Sequence, residues 1–421
     1  MKVGSSNLIE PGDCGVFDLI IDATGSDVSL IYNMELNISG MPKNLILYAD
    51  EQMQHKIPVI DNSSNSVTDR KIKIEDFIGI NDNSQTQTKR IYWQWPFESG
   101  TSDVEIASND IYDSRYMGRS VEMQINVIAK QTDDEPIYLA KKVNVGDLVN
   151  YSANISDENG NTFAMPYSYT TDSEKTGAPI ISTFSSSDSM TWKVLYKNED
   201  FGIVELISAN GTPNSLALEG RSGFTNAIAL LEKISTVYGH GYGSVGARSA
   251  TTNDIDQYSS YDKTTYEEVA SDSYYGKERE YTGGGSYYFK QIEDKNGNII
   301  GYETTVSTAS TSNKIKMTHT YYQYTASDYY SNPKAYNMLF ENTSGENRTY
   351  WLARRCAFTY VDFCNYCLDG VLNGKLVSAN LCRSTEVQNL YTWAVSPVII
   401  LDTTLKTNPS KNENQEWELK F

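Results

Sequence analysis

The chain has 421 residues, too many for one ordinary hydrophobic core, so its length predicts two or three domains. Apolar residues make up 39% and charged residues 21%, which is typical of a globular protein and excludes a disordered one. The net charge of −19, without a run of Lys or Arg, repels phosphate groups. It therefore argues against nucleic-acid binding and against adsorption to anionic membranes.

The composition also favours strands over helices. The chain has 31 Tyr against 12 Phe and 6 Trp, and Tyr and Thr are favoured in half-buried β-sheets. This balance is typical of exported β-proteins. The fold class predicted for the whole chain is mostly β with minor α.

The first part of the chain consists of short alternating segments. Apolar and polar residues alternate with a period of two at residues 15–22, 28–39, 44–49 and 120–128. Breakers separate these segments, for example EPG at 10–12. Regular short strands with turn signals predict a β-sandwich of jelly-roll or immunoglobulin-like type.

Three blocks of this region carry a family resemblance. They are LIEPGDCGVF at 8–17, DATGS at 22–26 followed by Tyr32, and IYWQWPFE at 91–98. Together they resemble the TasA/camelysin-like family of exported Gram-positive fibre and matrix proteins. The resemblance implies a β-sandwich that can assemble by donating a strand to a neighbouring copy, which would satisfy an exposed sheet edge.

A polar segment divides the chain. TDDEP at 132–136 contains Pro and is the predicted boundary between domains 1–134 and 135–421. Residues 152–188 are rich in Ser, Thr, Asn and Gly, so they are predicted to be a loop-rich part of the second domain.

The second domain mixes hairpins with helices. Residues 191–196 and 202–208 alternate around a turn and predict a hairpin. Apolar residues within 225–237 recur at i, i+3, i+4 and i+7, which predicts an amphipathic helix ended by Gly239. Residues 248–256 predict the beginning of a second, short helix.

An Asn-Gly pair marks another hairpin. Residues 289–293 and 299–306 flank this pair and predict two strands joined by a turn. Asp294, Asn296 and Asn298 could instead ligate calcium, but the spacing lacks the Glu that an EF-hand needs at loop position twelve. A turn is therefore the favoured interpretation.

A series of short motifs runs in order through the second domain. They are VGDLVNY at 145–151, WKVL at 192–195, VELIS at 204–208, GFTNAIALLEKISTVY at 223–238, ARS at 247–249, YWLARR at 350–355 and VSPVIIL at 395–401. The series resembles an uncharacterised module of Firmicutes surface proteins and phages, with the C-type-lectin-like fold of formylglycine-generating-enzyme-like domains. The resemblance implies an α+β scaffold whose loops carry recognition, not a fixed reaction. The usual last block contains an Arg before its Pro, and here Ser396 stands at that position.

The resemblance also implies that the C-terminal part of the domain faces a ligand. The candidate ligand-binding residues are Phe358, Tyr360, Asn365, Tyr366, Asn380, Tyr391 and Trp393. Aromatic faces stack on sugars or partner side chains, and Asn side chains fix orientation by hydrogen bonds. The alternative is that several of these residues point inward and belong to the core. The Glu-Pro-Asn and Trp-Asn-Asp signatures of calcium-dependent lectins are absent.

Four of the five cysteines lie close together in the sequence. They are Cys356, Cys364, Cys367 and Cys382, whereas Cys14 is alone. The CxxC formed by Cys364 and Cys367 would suit zinc or a redox pair, but no histidine lies nearby. An all-cysteine zinc site stays open as an alternative. One or two disulfides of undetermined pairing are favoured, and no metal site is predicted.

The sequence offers no recognisable catalytic constellation. Nucleophilic catalysis needs a Ser or Cys beside a basic His, and His55, His240 and His319 are isolated. GYGSVG at 241–246 follows a helix and lacks Lys, so it does not fit a phosphate-binding loop. Neither an enzymatic activity nor a cofactor is expected.

These features predict a non-enzymatic secreted bacterial cell-surface protein, either an adhesin or a fibre- or matrix-associated subunit. Its expected partner is a host or bacterial surface glycan or protein, and the N-terminal domain is expected to support self-assembly. The sequence has no stretch of about 20 apolar residues that would predict a transmembrane segment. It also opens without an apolar signal core, so an extracellular location implies a signal that has been removed. The alternative is a phage or prophage tail or receptor-binding protein.

Overall fold

A computed structural model describes most of the chain. The described residues are 9–42, 44–61, 70–96, 113–114, 116, 120–169, 179–258, 286–293, 299–307, 333–359, 364–383 and 388–421. Strands hold 47% of the residues and helices 12%. The predicted fold class, mostly β with minor α, is therefore confirmed.

The N-terminal strands are β1 (Cys14–Asp22), β2 (Leu30–Ser39), β3 (Ile46–Tyr48), β4 (Ile60–Asp61), β5 (Arg70–Ile78), β6 (Thr86–Gln94) and β7 (Glu122–Gln131). Sheet A has the order β1-β6-β3, and sheet B has the order β4-β5-β2-β7. Neighbouring strands are antiparallel in both. Period-two alternation directs one face of each sheet inward, and the two inner faces share a core that includes Leu36, Ile72, Ile91 and Trp93. We call this unit the N-terminal sandwich.

The second part of the chain contains four described helices and the remaining described strands. The helices are α1 (Leu139–Lys142), α2 (Gly220–Val237), α3 (Thr252–Asp256) and α4 (Pro333–Phe340). The strands are β8 (Leu148–Asn150), β9 (Ala164–Tyr169), β10 (Ile180–Ser185), β11 (Trp192–Asn198), β12 (Ile203–Ser208), β13 (Ser215–Glu219), β14 (Ser244–Ser249), β15 (Ser286–Glu293), β16 (Ile299–Ser307), β17 (Tyr350–Thr359), β18 (Cys364–Leu372), β19 (Lys375–Arg383), β20 (Leu390–Val395), β21 (Pro397–Leu401) and β22 (Glu416–Glu418).

Two sheets and helix α2 build the core of this second part. Sheet C has the order β14-β21-β12-β11-β8-β22, and sheet D has the order β13-β20-β17-β18-β19. Leu231 and Ile234 of α2 pack in one apolar cluster with Leu206 of sheet C and Trp351 of sheet D. A second cluster joins other residues of both sheets to α3 and α4. One face of this helix packs against both sheets, which explains its amphipathic sequence.

The two parts of the chain share a core. Phe201 and Ile203, at the tip of the β11–β12 hairpin, are buried in the N-terminal sandwich. The turn depends on Gly202, whose φ of +68° favours glycine and whose Cβ position would overlap the backbone of Thr403. His55 of the sandwich also stacks flat on Tyr196 of β11, with ring centroids 3.3 Å apart.

A buried ion pair lies at the same junction. Asp76 of β5 accepts from Lys89 Nζ at 2.7 Å and from Lys141 Nζ of α1 at 2.9 Å. Burial alone would raise the pKa of Asp76, but the two lysines outweigh it and lower that pKa. Beside it, Glu75 accepts from Lys406 Nζ at 3.0 Å and from the hydroxyl of Tyr138. The sandwich and the second part are thus joined by both apolar and charged contacts.

The strand pairings of both predicted hairpins are confirmed, since β11 pairs with β12 and β15 pairs with β16 in antiparallel register. The predicted turn at 294–298, with its alternative as a calcium site, lies outside the described residues. The amphipathic helix is confirmed with an earlier start. It begins at Gly220 rather than Thr225, because Gly220 has a φ of +61° and turns the chain directly from β13 into the helix.

Three expectations were wrong in part. Residues 248–249 end strand β14 instead of starting a helix, because they pair with β21, and the helix begins only at Thr252. The loop-rich stretch contains the paired strands β9 and β10. Strand β5, which pairs with β2 along its whole length, was not among the predicted strands.

Candidate functional site

Those predicted ligand-binding residues whose side chains are described fall on opposite faces of sheet D. Tyr366, Tyr391 and Trp393 point toward helix α2 and belong to or pack against the core of the second part. Trp393 lies 4.1 Å from Trp351 between ring centroids, and Tyr391 packs edge-on against Trp393 at 5.6 Å. Tyr366 contacts Phe224 of α2 edge-on at 5.3 Å. These aromatic residues pack the core, as the alternative interpretation expected.

The two predicted asparagines lie on the other face. Asn380 of β19 donates from Nδ2 to Asn365 Oδ1 of β18 at 3.1 Å, so the structure brings them together. The buried Oδ1 of Asn380 has no hydrogen-bond partner in the described part of the chain. On the same face, Asp369 accepts from the hydroxyl of Ser378 at 2.6 Å. We call this set, Asn365, Asp369, Ser378, Asn380 and Arg354, the polar strip.

Arg354 links the polar strip to helix α3. Its Nε lies 4.0 Å from Asp369 Oδ2, and its Nη1 donates to the hydroxyl of Thr252 at 2.8 Å. The preceding residue, Thr251, caps α3 through a reciprocal capping box with Asp254. The short helix therefore holds polar groups that reach both sheets.

A second arginine continues this connection into sheet C. Arg248 of β14 donates to both carboxylate oxygens of Asp254 at 2.7 Å and to Glu205 Oε2 at 2.6 Å. Burial alone would lower the pKa of Arg248, but the two carboxylates outweigh it and raise that pKa well above its usual value. Burial would likewise raise the pKa of Asp254, and Arg248 lowers it instead. The group is therefore held as ions inside the fold.

These charged residues were missed at the level of sequence. A signal for them exists, because Glu205 interrupts the apolar run IVELIS and Asp369 interrupts YCLDGVL. A charged residue within a buried strand needs a partner of opposite charge or hydrogen bonds. Searching for such interruptions would have found both ends of the network.

Some candidates lie outside the described residues. This applies to Tyr360 entirely, and to the side chains of Phe358, Cys356 and Cys364, for which the structure describes only the backbone. Cys367 is a buried free thiol in this structure. The disulfides stay a prediction, because the side chains of their other candidates Cys356 and Cys364 are not described. Cys382 lies opposite Tyr366 and not opposite another cysteine.

An arginine contacts Ser396. Ser396, which stands at the position of the Arg in the usual last motif, accepts from Arg348 Nη2 at 2.9 Å. The buried Arg348 also donates to the carbonyl oxygens of Met338 and Ser208 at 2.6 and 2.9 Å. An arginine that comes from just before β17 thus ties α4 to sheet C beside Ser396.

The described histidines are packed against aromatic rings. His55 stacks on Tyr196, and His240 stacks on Phe163 at 3.6 Å between centroids. His319 lies outside the described residues. Within the described part of the chain, no three His, Cys, Asp or Glu side chains are grouped as metal ligands. In the same part, no helix is long and apolar enough to span a membrane.

No family model, no curated protein and no solved structure matches the chain. The TasA/camelysin-like and C-type-lectin-like resemblances therefore depend on the quoted sequence blocks. The polar strip presents amide, hydroxyl and carboxylate groups on one face of sheet D. The aromatic residues beside it in sequence lie on the opposite face.

Proposed function

We propose that the chain is a non-enzymatic, secreted cell-surface subunit that assembles with other copies through its N-terminal sandwich and displays its second domain for binding. The observation that carries the proposal is the exposure of an apolar strand at the edge of sheet B. Assembly through this edge also agrees with the strand donation that the TasA/camelysin-like resemblance implies.

Strand β7 has a core-facing row that is largely exposed in the described part of the chain. Ile125 and Val127 lie opposite Leu36 and Met34 of β2, on the same face of the sheet. The two β2 residues are buried, whereas Ile125 is 45% exposed and Val127 51%. An apolar row continuous with a core and open to solvent marks a site of interaction.

The opposite sheet is one strand shorter among the described residues. Residues next to β3 lie above β5, since Leu45 O accepts from Arg70 Nη1 at 3.2 Å, and β6 lies above β5 through Lys89 and Asp76. β1 follows β6 in sheet A and β2 follows β5 in sheet B, so β1 is expected above β2. No described strand of sheet A then remains to cover β7. In the described residues, β1 is paired along its β6 side alone.

A strand from a second copy would fit this position. Pairing along β1 would satisfy its free backbone groups, and the inner side chains of the added strand would cover Ile125 and Val127. Each apolar side chain that becomes buried contributes roughly 1.5–3 kcal/mol. A strand that buries a few such residues therefore supplies a substantial driving force for assembly.

The test compares two lysine substitutions on the same strand. Val127→Lys places a charge on the uncovered row, whereas Ile128→Lys places it on the outer face, where Ile128 is 72% exposed. We expect the wild-type chain and Ile128→Lys to form concentration-dependent oligomers or fibres, measured by sedimentation and negative-stain electron microscopy. Val127→Lys should stay monomeric. A wild-type chain that is monomeric at all concentrations, or two variants that assemble equally, would contradict the proposal.

The second domain is proposed to bind a surface glycan or protein through the polar strip. Support comes from the buried, unpartnered Oδ1 of Asn380 within the described residues. A glycan array probed with the full chain and with Asn380→Ala tests this part. We expect binding by the wild type and loss by the variant. Equal signals for both would remove the polar strip from the binding site.

A further inference from the structure

We propose that Cys356 and Cys367 form a disulfide between β17 and β18 when the chain meets a disulfide oxidant. The two residues are direct partners in the antiparallel register of these strands. The pairs on either side, Arg355 with Leu368 and Ala357 with Tyr366, continue the same register without a shift. This inference depends on the strand register and not on the proposed function.

The spacing suits a disulfide bond. Directly opposed residues of antiparallel strands share one face of the sheet and have Cα atoms about 4.5–5.5 Å apart. Disulfides join Cα atoms that are about 4.4–6.8 Å apart. The bond can therefore form with little movement of the backbone.

Among the described strand pairs, the register places no other two cysteines directly opposite each other. Cys364 and Cys367 lie on one extended strand, where three residues span roughly 10 Å, so this CxxC cannot close as a redox pair. Cys364 lies opposite Thr359, and Cys382 lies opposite Tyr366. Cys14 lies on β1 in the N-terminal sandwich.

The position of the pair gives the bond a structural role. The β17–β18 ladder shifts register between Trp351 and Arg355, and such irregularities leave backbone groups unpaired. Beyond this shift, β17 pairs with β18 from Arg355 to Thr359, and β18 is also paired with β19. A disulfide at Cys356 and Cys367 closes the hairpin directly after the irregularity.

The oxidation balances with oxidised glutathione as the co-reactant. One cysteine thiolate attacks the glutathione disulfide, which forms a mixed disulfide and releases one glutathione thiolate. The second cysteine thiolate then attacks the protein sulfur of the mixed disulfide and releases the other glutathione. In total, two protein thiols lose two electrons and two protons, and one glutathione disulfide is reduced to two thiols.

The experiment maps the bond in the full-length chain. The native protein is incubated with oxidised glutathione, and a second sample is refolded from the reduced state in the same buffer, because Cys367 is buried. Free thiols are alkylated and peptides are identified by mass spectrometry without reduction. We expect a cross-linked peptide that joins Cys356 to Cys367 in at least one sample. Its absence from both, or a different pairing, overturns the proposal.

Matched variants give a second measurement. Oxidation should raise the melting temperature of the wild type by about 5 °C, as expected for a short closed loop in a chain of this size. Cys356→Ser and Cys367→Ser should lose this rise, whereas Cys364→Ser and Cys382→Ser should keep it. Circular dichroism of each reduced variant checks that it folds. Zinc retained by the purified protein and released on thiol alkylation would instead indicate a thiolate site and overturn the disulfide.

Discussion

A comparison of strands β7 and β12 shows that neighbouring elements determine whether an apolar strand is buried. β12 (IVELIS) is buried at every residue, because β11 and β21 flank it and apolar clusters cover both faces. β7 (EMQINVIAKQ) is exposed along almost its whole length, although Met123, Ile125 and Val127 alternate with polar residues. β12 even accommodates a buried Glu205, whereas β7 leaves Val127 in solvent. An apolar pattern therefore predicts a strand, and the strands beside and above it determine whether it is buried.

Among the variants proposed here, removal of a large side chain from the buried core should lower the free energy of unfolding most. Trp351 is fully buried and donates from Nε1 to the carbonyl of Leu216 at 3.0 Å. Trp351→Ala should lower the free energy of unfolding by about 4 kcal/mol, through the lost contacts and the cavity. Urea denaturation followed by circular dichroism measures it. A loss below about 1 kcal/mol, the typical cost of a point mutation, would show that this core is loosely packed.

Breaking the buried ionic group should cost slightly less. Arg248→Met leaves Glu205 and Asp254 buried without their cation, so we expect a loss of about 3 kcal/mol. The double variant Arg248→Met with Glu205→Gln should recover part of that loss, because one unpaired charge is removed. The same denaturation experiment applies. Additive losses in the double variant would mean that Arg248 and Glu205 do not interact.

Acid should weaken the junction next to β12 before it affects β7. Burial is the main cause that lowers the pKa of His55 from 6.5; Arg248 adds to it, and Glu205, Asp50 and Asp254 oppose it. The unfolded chain therefore binds a proton as the pH falls through 6.5 while the folded chain does not. Stability should be fully present above this pH and decline below it, down to the lowered pKa.

The variant His55→Phe keeps an aromatic ring on Tyr196 and removes the titrating group. We expect the difference in unfolding free energy between wild type and variant to change with pH below 6.5, and to be constant above it. Unfolding curves recorded at a series of pH values measure this difference. Parallel curves across that range would exclude His55 as the source.

The smallest effect is expected on β7. Val127→Lys and Ile128→Lys should each change the free energy of unfolding of the monomer by no more than about 0.5 kcal/mol, because both side chains are largely exposed. Dilute samples, in which assembly is absent, are used for the measurement. A much larger loss of unfolding free energy for Val127→Lys alone would mean that Ile125 and Val127 are covered within one copy. β7 would then be buried by its neighbours as β12 is.

Local alternation made much of the fold predictable. The strands β1, β2, β11 and β12, the helix α2 and the two hairpins follow from periods of two or 3.6 residues and from turn residues. Exposure of β7 could not be predicted, because it depends on how many strands the opposite sheet contains. Strand β5 was not predicted, although its apolar and polar residues alternate as clearly as those of β2.

The candidate site was predictable only as a region. Asn365 and Asn380 lie on neighbouring strands and are hydrogen-bonded, whereas their role in binding stays a prediction. Tyr366 and Trp393 were grouped with them, yet they point to the opposite face. Within one strand, adjacent residues alternate between faces, but the sequence does not state which face is covered by helix α2. Through Arg354 the strip contacts Thr252 of α3, which is distant in sequence.

The hairpin tip at Phe201 and Ile203 has a consequence for synthesis. Domains generally fold as the ribosome releases them, the N-terminal one first. Here the core of the N-terminal sandwich includes two residues that are made about seventy positions after its last strand, β7. The sandwich therefore completes its interior only when the following hairpin has emerged. If the first 134 residues were transferred alone to another protein, their core would lack Phe201 and Ile203. The two parts of the chain are therefore expected to be inherited as one unit.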